Sequence, residues 1–560
     1  MQTTVPPLPV PRLWIRLGLG PWTWVVLGTV AILAIPLAVI GVGVLEPAGA
    51  TWTHLSRTVL PDYLLHSAVL LGGVGILALL MGVSTAWLVA SCDFPGRRVF
   101  EWALILPLAV PAYVAAYTYA GMFDVAGPVQ LLIRSIVPSL SNAFIHLDVK
   151  RIETVIVIFA LVLYPYVYLI TRASFARQSR TVLEASRTLG CTATATFFRV
   201  ALPLARPAIA AGLTLVLLEV LNDYGAVHYY GVTTFTTGIF RAWLSLGDLT
   251  SAIRLSAFLL FFVFLLLSLE RAQRGRARYD DRVETFRPTT RATLRGGRAV
   301  AAVVVCAVPI VFGFLVPVLQ LSYWGSRTGP HVLDVEFVRL VLNSFGVASG
   351  AALLCVVVAL ILAYAVRVTR VGWVRVVSRI AVLGYSVPGA VIAVGVLIPF
   401  AWMDRSIDSA ARAGFSVSTG LLLSGTLVAL IFAYVVRFMA VGLTPVESGF
   451  TRICGNLDDA ARTLGAGPWR TLRSVALPLL RGTLLAALIL VFVDTLKELP
   501  LTLILRPFNF DTLATTAFQL ARDEQIAESA PAALLIVATS IVPIILLSRV
   551  VSGPAGRRTP

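Results

Sequence analysis

Charge is what this chain has least of. Only 13% of its 560 residues are Asp, Glu, Lys or Arg, against about 25% in an average soluble domain. Hydrophobic residues make up 58%, which excludes an ordinary soluble protein and implies a polytopic membrane chain. Lysine is nearly missing: Lys150 and Lys497 are the two in the sequence. A phosphate-binding loop ends in Gly-Lys-Ser/Thr. Lys150 follows Val149 and Lys497 follows Leu496, so neither can serve that loop, and any ATP hydrolysis falls to another chain. Cysteine is sparse and scattered, at Cys92, Cys191, Cys306, Cys355 and Cys454. No CxxC pair or His/Cys cluster occurs, so neither a disulfide framework nor a zinc site is expected. The five histidines (His54, His66, His146, His228 and His331) show no ligand spacing. No nucleophile and base stand in a recognisable pattern, which argues against an enzyme. No small-residue cleavage site follows the apolar run from Trp22, so the first span is expected to stay uncleaved.

Acid is scarcer than base, 28 residues against 45, for a net charge of +17. In a membrane chain such a surplus marks cytoplasmic loops rather than a nucleic-acid surface. Twelve spans of about 20 apolar residues are expected near 22–45, 65–90, 99–121, 153–172, 207–227, 251–270, 299–322, 342–366, 380–402, 419–441, 482–504 and 531–550. Arginines gather in alternate loops: Arg97-Arg98, Arg172 to Arg206, nine within 271–298, Arg367 to Arg379 and Arg452 to Arg481. The loops 46–64 and 403–418 carry few. This bias puts both termini and the 271–298 linker in the cytoplasm, where the linker lies near anionic membrane lipid.

The chain repeats itself. Glu184-Ala-Ser-Arg-Thr-Leu-Gly190 recurs as Asp459-Ala-Ala-Arg-Thr-Leu-Gly465. Nine residues after each glycine comes Val-Ala-Leu-Pro, ending at Pro203 and Pro478. The offset is 275 positions (459 minus 184) without a gap as far as Asp223 and Glu498. Upstream, Ser67 pairs with Ser344, Trp87 with Tyr364 and Pro111 with Pro388 at an offset of 277 (388 minus 111). Such register over many residues is an internal duplication. Six spans per half give both halves the same orientation, hence parallel repeats. The division is 1–270 for the first half, 271–298 for the basic linker and 299–560 for the second half. Gly190 and Gly465 are expected to stop a short helix in the left-handed conformation. Pro203 and Pro478 are then expected to bend the chain into the next membrane helix. Two polar helices outside the bilayer suit docking to another protein.

Four acids fall within apolar runs. Glu219 and Asp223 are spaced i,i+4, hence expected on one face of the fifth span. Their partners under the repeat are Asp494 and Glu498. Charge at membrane depth is costly and usually faces a cavity or a partner, so these four are candidates for a cation path about a pseudo-two-fold axis. Ion-pair glue, with Lys497 neutralising Asp494 or Glu498, is the structural alternative.

The duplicated loops resemble the coupling loops of ATP-binding-cassette importer permeases, whose pattern is Glu-Ala-Ala, three residues, Gly, nine residues, Ile-x-Leu-Pro. Ser186, Asp459, Val200 and Val475 depart from it. The stretches Leu221–Trp243 and Lys497–Thr516 resemble the fused permeases of bacterial ferric-iron importers. The resemblance implies an all-α type I importer fold of about twelve transmembrane helices in two six-helix repeats. It also implies a multi-pass protein of the bacterial inner membrane, two copies of an ATPase subunit, and an extracytoplasmic binding protein. ATP and Mg²⁺ would sit on the ATPase partners, and this chain would bind no cofactor. Coupling would fall to Glu184, Ala185, Gly190, Pro203, Asp459, Ala460, Gly465 and Pro478. Related permeases serve thiamine, phosphonates or polyamines. An ion-gradient transporter, a passive channel and a membrane scaffold leave the two matched loops unexplained.

Overall fold

The computed structural model describes residues 20–47, 49–136, 149–178, 185–186, 188–274, 291–369 and 371–552. They are almost wholly helical. Among the described residues eleven helices are long and apolar enough to cross a membrane, or twelve if Arg97–Ala109 and Ala112–Ile136 form one span bent by 86°. The all-α polytopic expectation holds, and in lipid it has a simple cause: a helix satisfies its own backbone polar groups. The one extended pairing among the described residues is a two-residue parallel bridge, Cys92–Asp93 with Ala292–Thr293.

Contacts group the chain into two compact units. The first joins residues 1–43 to 343–510. In it, helix Pro21–Gly43 packs on helix Gly389–Phe415. The backbones nearly touch: a Cβ on Gly395 would lie 2.5 Å from the Pro36 carbonyl oxygen. The first described helix is therefore held by residues encoded about 360 positions later (395 minus 36 is 359). The second unit joins 44–342 to 511–560. Three of its helices, Leu60–Ser91, Ile152–Arg177 and Leu202–Asn222, converge at Val167. A Cβ on Gly82 would sit 2.6 Å from the Val167 Cβ, and one on Gly212 2.8 Å from its Cα. Small residues of this kind let membrane helices approach closely, where dispersion replaces the hydrophobic effect as the driving force. The lipid-facing sides carry bare aliphatic and aromatic side chains such as Leu80, Phe261 and Val300.

Four spans differ from the sequence expectation in ways that bear on the site. The third span breaks: Leu106–Ala109 tightens into a 3₁₀ turn and Pro111 starts a new helix. Pro388 repeats this, after the 3₁₀ segment Arg379–Ser386. The fifth and eleventh spans run Thr194–Asn222 and Pro468–Leu496, shifted toward the N-terminus from 207–227 and 482–504. Both contain a π-helical turn just ahead of the proline, Phe197–Ala201 before Pro203 and Leu472–Ala476 before Pro478. Proline cannot donate to the preceding turn and crowds its carbonyl, so the helix widens by one residue there. Pro203 and Pro478 thus lie inside continuous helices, near a local widening, and do not begin new ones.

Candidate functional site

The second duplicated loop is described in full. Gly455–Thr463 is helical and carries Asp459 and Ala460, both exposed. Gly465 has φ +79°, and two bonds close the helix end: Gly465 N–H to Arg462 O at 2.9 Å and Ala466 N–H to Ala461 O at 2.9 Å. This is the double-bonded left-handed cap that glycine favours. In the first loop Gly190 has φ +84°, and Cys191 N–H donates to Ser186 O at 3.0 Å. Ala185 is exposed and helical. Glu184 lies outside the described residues. A Cβ at Gly190 or Gly465 would meet nothing within 4 Å, so φ alone requires glycine. Beside each glycine a leucine stands bare: Leu189 is 84% exposed and Leu464 86%. Two leucines at repeated positions, each at the tip of a polar helix, are surface that a partner would cover.

Among the described residues the two loops are held by different contacts. In the second, Arg367 Nε meets Asp458 Oδ2 at 2.6 Å, and its Nη atoms donate to the Phe450 carbonyl at 2.5 Å and the Ile453 carbonyl at 3.1 Å. One guanidinium thereby ties the polar helix to the ends of helices Val335–Thr369 and Leu427–Arg452. The position paired with Arg367 is Ala90 (367 minus 277). The first loop has a buried hydroxyl pair instead, Ser186 with Thr196 at 3.0 Å, and Gln178 donating to the Ala201 carbonyl at 2.8 Å. Aromatic contacts are shared: Trp87 packs on Phe175 at 5.2 Å and Tyr364 on Phe450 at 6.1 Å. Sequence reading counted Arg367 only as one more loop arginine.

The four membrane acids do not share one helix face per half. Helix Leu202–Asn222 ends before Asp223, whose ψ of 137° is extended. Asp223 Oδ1 accepts Ala226 N–H at 2.9 Å and Val227 N–H at 3.2 Å, capping the short helix Gly225–Tyr229. Helix Leu477–Leu496 likewise ends before Glu498. Glu498 accepts Leu501 N–H and Thr502 N–H, both at 3.1 Å, and the Thr502 hydroxyl at 2.9 Å. It caps Pro500–Leu505. The i,i+4 argument fails here because the helix stops between the two members. Glu219 stays on its helix, with the Tyr166 hydroxyl 3.5 Å away. Asp494 pairs with Lys497 at 2.9 Å. Buried Glu498 also faces the Arg437 Nε at 3.8 Å, and Arg437 donates to the Val387 carbonyl at 2.9 Å. Gly389 makes room for this carboxylate; a Cβ there would lie 2.6 Å from Glu498 Oε1. Arg437 escaped the sequence reading, although a lone arginine within the apolar run 427–443 was signal enough.

The family model described as binding-protein-dependent transport system inner membrane component matches residues 78–278 and again 355–553. The Fe(3+)-transport system permease protein FbpB 2 of Haemophilus influenzae is 28% identical over 500 residues, 88% of this chain and 91% of that protein. The putative 2-aminoethylphosphonate transport system permease protein PhnV of Salmonella typhimurium is 27% identical over 268 residues, 45% of this chain and 95% of that protein. A probable sulfate transport system permease protein, cysT of Chlorokybus atmophyticus, is 32% identical over 146 residues, 26% of this chain and 48% of that protein.

Proposed function

The chain belongs to the family of binding-protein-dependent transport system inner membrane components, and from that premise we propose that it is the permease of an ATP-driven ferric-iron importer. The observation that carries the transport reading is the pair of loops at an offset of 275, each closed by a left-handed glycine beside an exposed leucine. Ferric iron is favoured over other solutes by the Haemophilus relative, which matches across nearly both full lengths. The phosphonate and sulfate permeases match shorter parts of this chain.

In this reading residues 1–270 and 299–560 are the two permease halves, and 271–298 is a cytoplasmic linker. Both termini face the cytoplasm of a bacterial inner membrane. Two ATPase copies dock on Ala185–Gly190 and Asp459–Gly465, with Glu184 at the start of the first site. They hold the ATP and Mg²⁺, while this chain binds no cofactor and hydrolyses nothing. Closure of the ATPases pushes on the short helices, and the π-helical turns before Pro203 and Pro478 are where each push enters a membrane helix. An extracytoplasmic binding protein supplies the cation. Asp223 is the acid best suited to guide it, because its carboxylate accepts from the backbone N–H groups of Ala226 and Val227, and Glu219 stands one helical turn before it. Asp494 and Glu498 each face a cation, Lys497 and Arg437, and act chiefly on the fold.

The test is uptake per assembled complex in vesicles holding the permease, its ATPase and its binding protein. Glu219→Gln with Asp223→Asn should lower ferric uptake strongly and leave assembly and basal ATP hydrolysis intact. Unchanged uptake would remove the ion-path role. Faster uptake of a phosphonate or sulfate than of ferric iron would replace the substrate.

A further inference from the structure

The parallel bridge has a chemical neighbourhood that the transport reading does not use. Cys92 lies opposite Ala292 and Asp93 opposite Thr293. Leu294 N–H extends the pairing to the Asp93 carbonyl at 2.9 Å. The bridge pins the end of the Arg-rich linker to the turn between helix Leu60–Ser91 and the short helix Arg97–Ala103. Helix Gly297–Ile310 then packs on Arg97–Ala103. The segments brought side by side here carry Arg97, Arg98, Arg291, Arg295 and Arg298, with Asp93 and Glu101 as their carboxylates, and Arg172 reaches the same rim through Glu101.

The two carboxylates are already engaged. Buried Arg97 takes both, with Nε 3.5 Å from Asp93 and Nη1 3.3 Å from Glu101. Arg172 also pairs with Glu101. Arg98, Arg291, Arg295 and Arg298 are exposed and make no ion pair among the described residues. Partial burial, and next the charge of Arg97, hold the Arg291 guanidinium below its usual range, against the opposing pull of Glu101 and Asp93. Bare apolar surface adjoins these cations. On the same short helix as Arg98, Trp102 is 43% exposed and Val99 55%. Tryptophan and arginine side by side at the end of an apolar helix fit the boundary between headgroups and acyl chains.

We propose that the rim formed by Arg98, Arg291, Arg295, Arg298 and Trp102 binds the headgroup phosphate of an anionic phospholipid. The phosphate supplies the anion that Asp93 and Glu101 cannot, and the acyl chain covers Trp102 and Val99. Arginine suits this task because its planar fork matches phosphate oxygens in bidentate geometry. The bound lipid would hold the linker end against the rim alongside the short backbone bridge, whichever solute the protein carries.

The experiment uses the purified full chain in mild detergent, with lipid retention read by native mass spectrometry. Phosphatidylglycerol and phosphatidylcholine of equal chain length are added in turn. Phosphatidylglycerol should be retained roughly tenfold better or more, as expected where several arginines each attract one anionic headgroup. R98Q/R291Q/R295Q/R298Q should bring the two lipids to parity. R327Q/R339Q/R405Q/R412Q, which removes as much charge elsewhere, should leave the preference. Lysine at the four rim positions should keep most of it, which separates lost charge from a damaged fold. Equal retention of both lipids by the wild type would overturn the site, as would a preference that survives the rim substitutions. Displacement of the lipid by an equal concentration of soluble glycerol phosphate would also overturn it, by making this a site for free phosphate.

Discussion

Asp223 and Glu498 occupy the same place in the two repeats and do the same backbone work, yet their surroundings differ. Each ends a long helix and caps the short one that follows. Asp223 does so with backbone donors. Glu498 adds a threonine hydroxyl and the buried guanidinium of Arg437. After Asp223 come Tyr224, His228 and Tyr229; after Glu498 come Leu499, Leu503 and Ile504. Duplication has kept the backbone device, and the side chains have diverged around it. The chain turn is what both halves need, whereas the charge near it is free to serve one half alone.

The largest effect should come from separating the partners at Glu498. Arg437→Leu leaves a buried carboxylate without its cation, which costs about 3–5 kcal/mol. The amount of folded protein and its thermal midpoint in detergent should both fall. Arg437→Leu with Glu498→Gln should recover much of the loss. If the single and double variants melt alike, the pair is not coupled. By comparison, Asp223→Asn keeps an oxygen acceptor and should barely change stability, while Asp223→Ala should cost about 0.5–2 kcal/mol as a lost cap. Equal sensitivity to amide substitution at 223 and 498 would break the contrast.

The loops offer a second comparison. Arg367→Gln removes charged hydrogen bonds worth about 1.5–3 kcal/mol each from the second loop. Amide exchange across 455–463 should speed up, and ATP-driven uptake should fall with it. Ser186→Ala removes the hydroxyl that pairs with Thr196 in the first loop, a neutral bond worth about 0.5–1.5 kcal/mol, and should have the smaller effect. Similar exchange in both variants would show that the loops are fastened alike.

The duplication was readable because apolar runs and loop motifs repeat at fixed spacing, and membrane helices follow directly from such runs. The ends of the fifth and eleventh spans were not readable from hydropathy. An acid four residues after another looks the same whether the helix continues or stops. A better signal stood beside Glu498: Pro500 two places on marks a helix start, with the acid as its cap. The 92–93 bridge to 292–293 and the packing of helix 21–43 on 389–415 depend on contacts far apart in sequence, which no local pattern encodes. The ties of Arg367 and Arg437 are of the same kind; both residues were visible, but their partners were not.

The central claim is that the two glycine-capped loops carry ATP-driven work into this permease. The direct measurement is ferric uptake into vesicles containing wild type or the Gly190→Asp, Gly465→Asp double variant, each with ATPase and binding protein. Both glycines hold positive φ, where a side chain costs about 1–2 kcal/mol, and the new carboxylates would stand on the docking surface. The account predicts normal membrane insertion, uptake by the wild type only with ATP and ATPase, and loss of ATPase attachment or of uptake in the variant. Wild-type uptake without the ATPase, or undiminished uptake by the double variant, would contradict it.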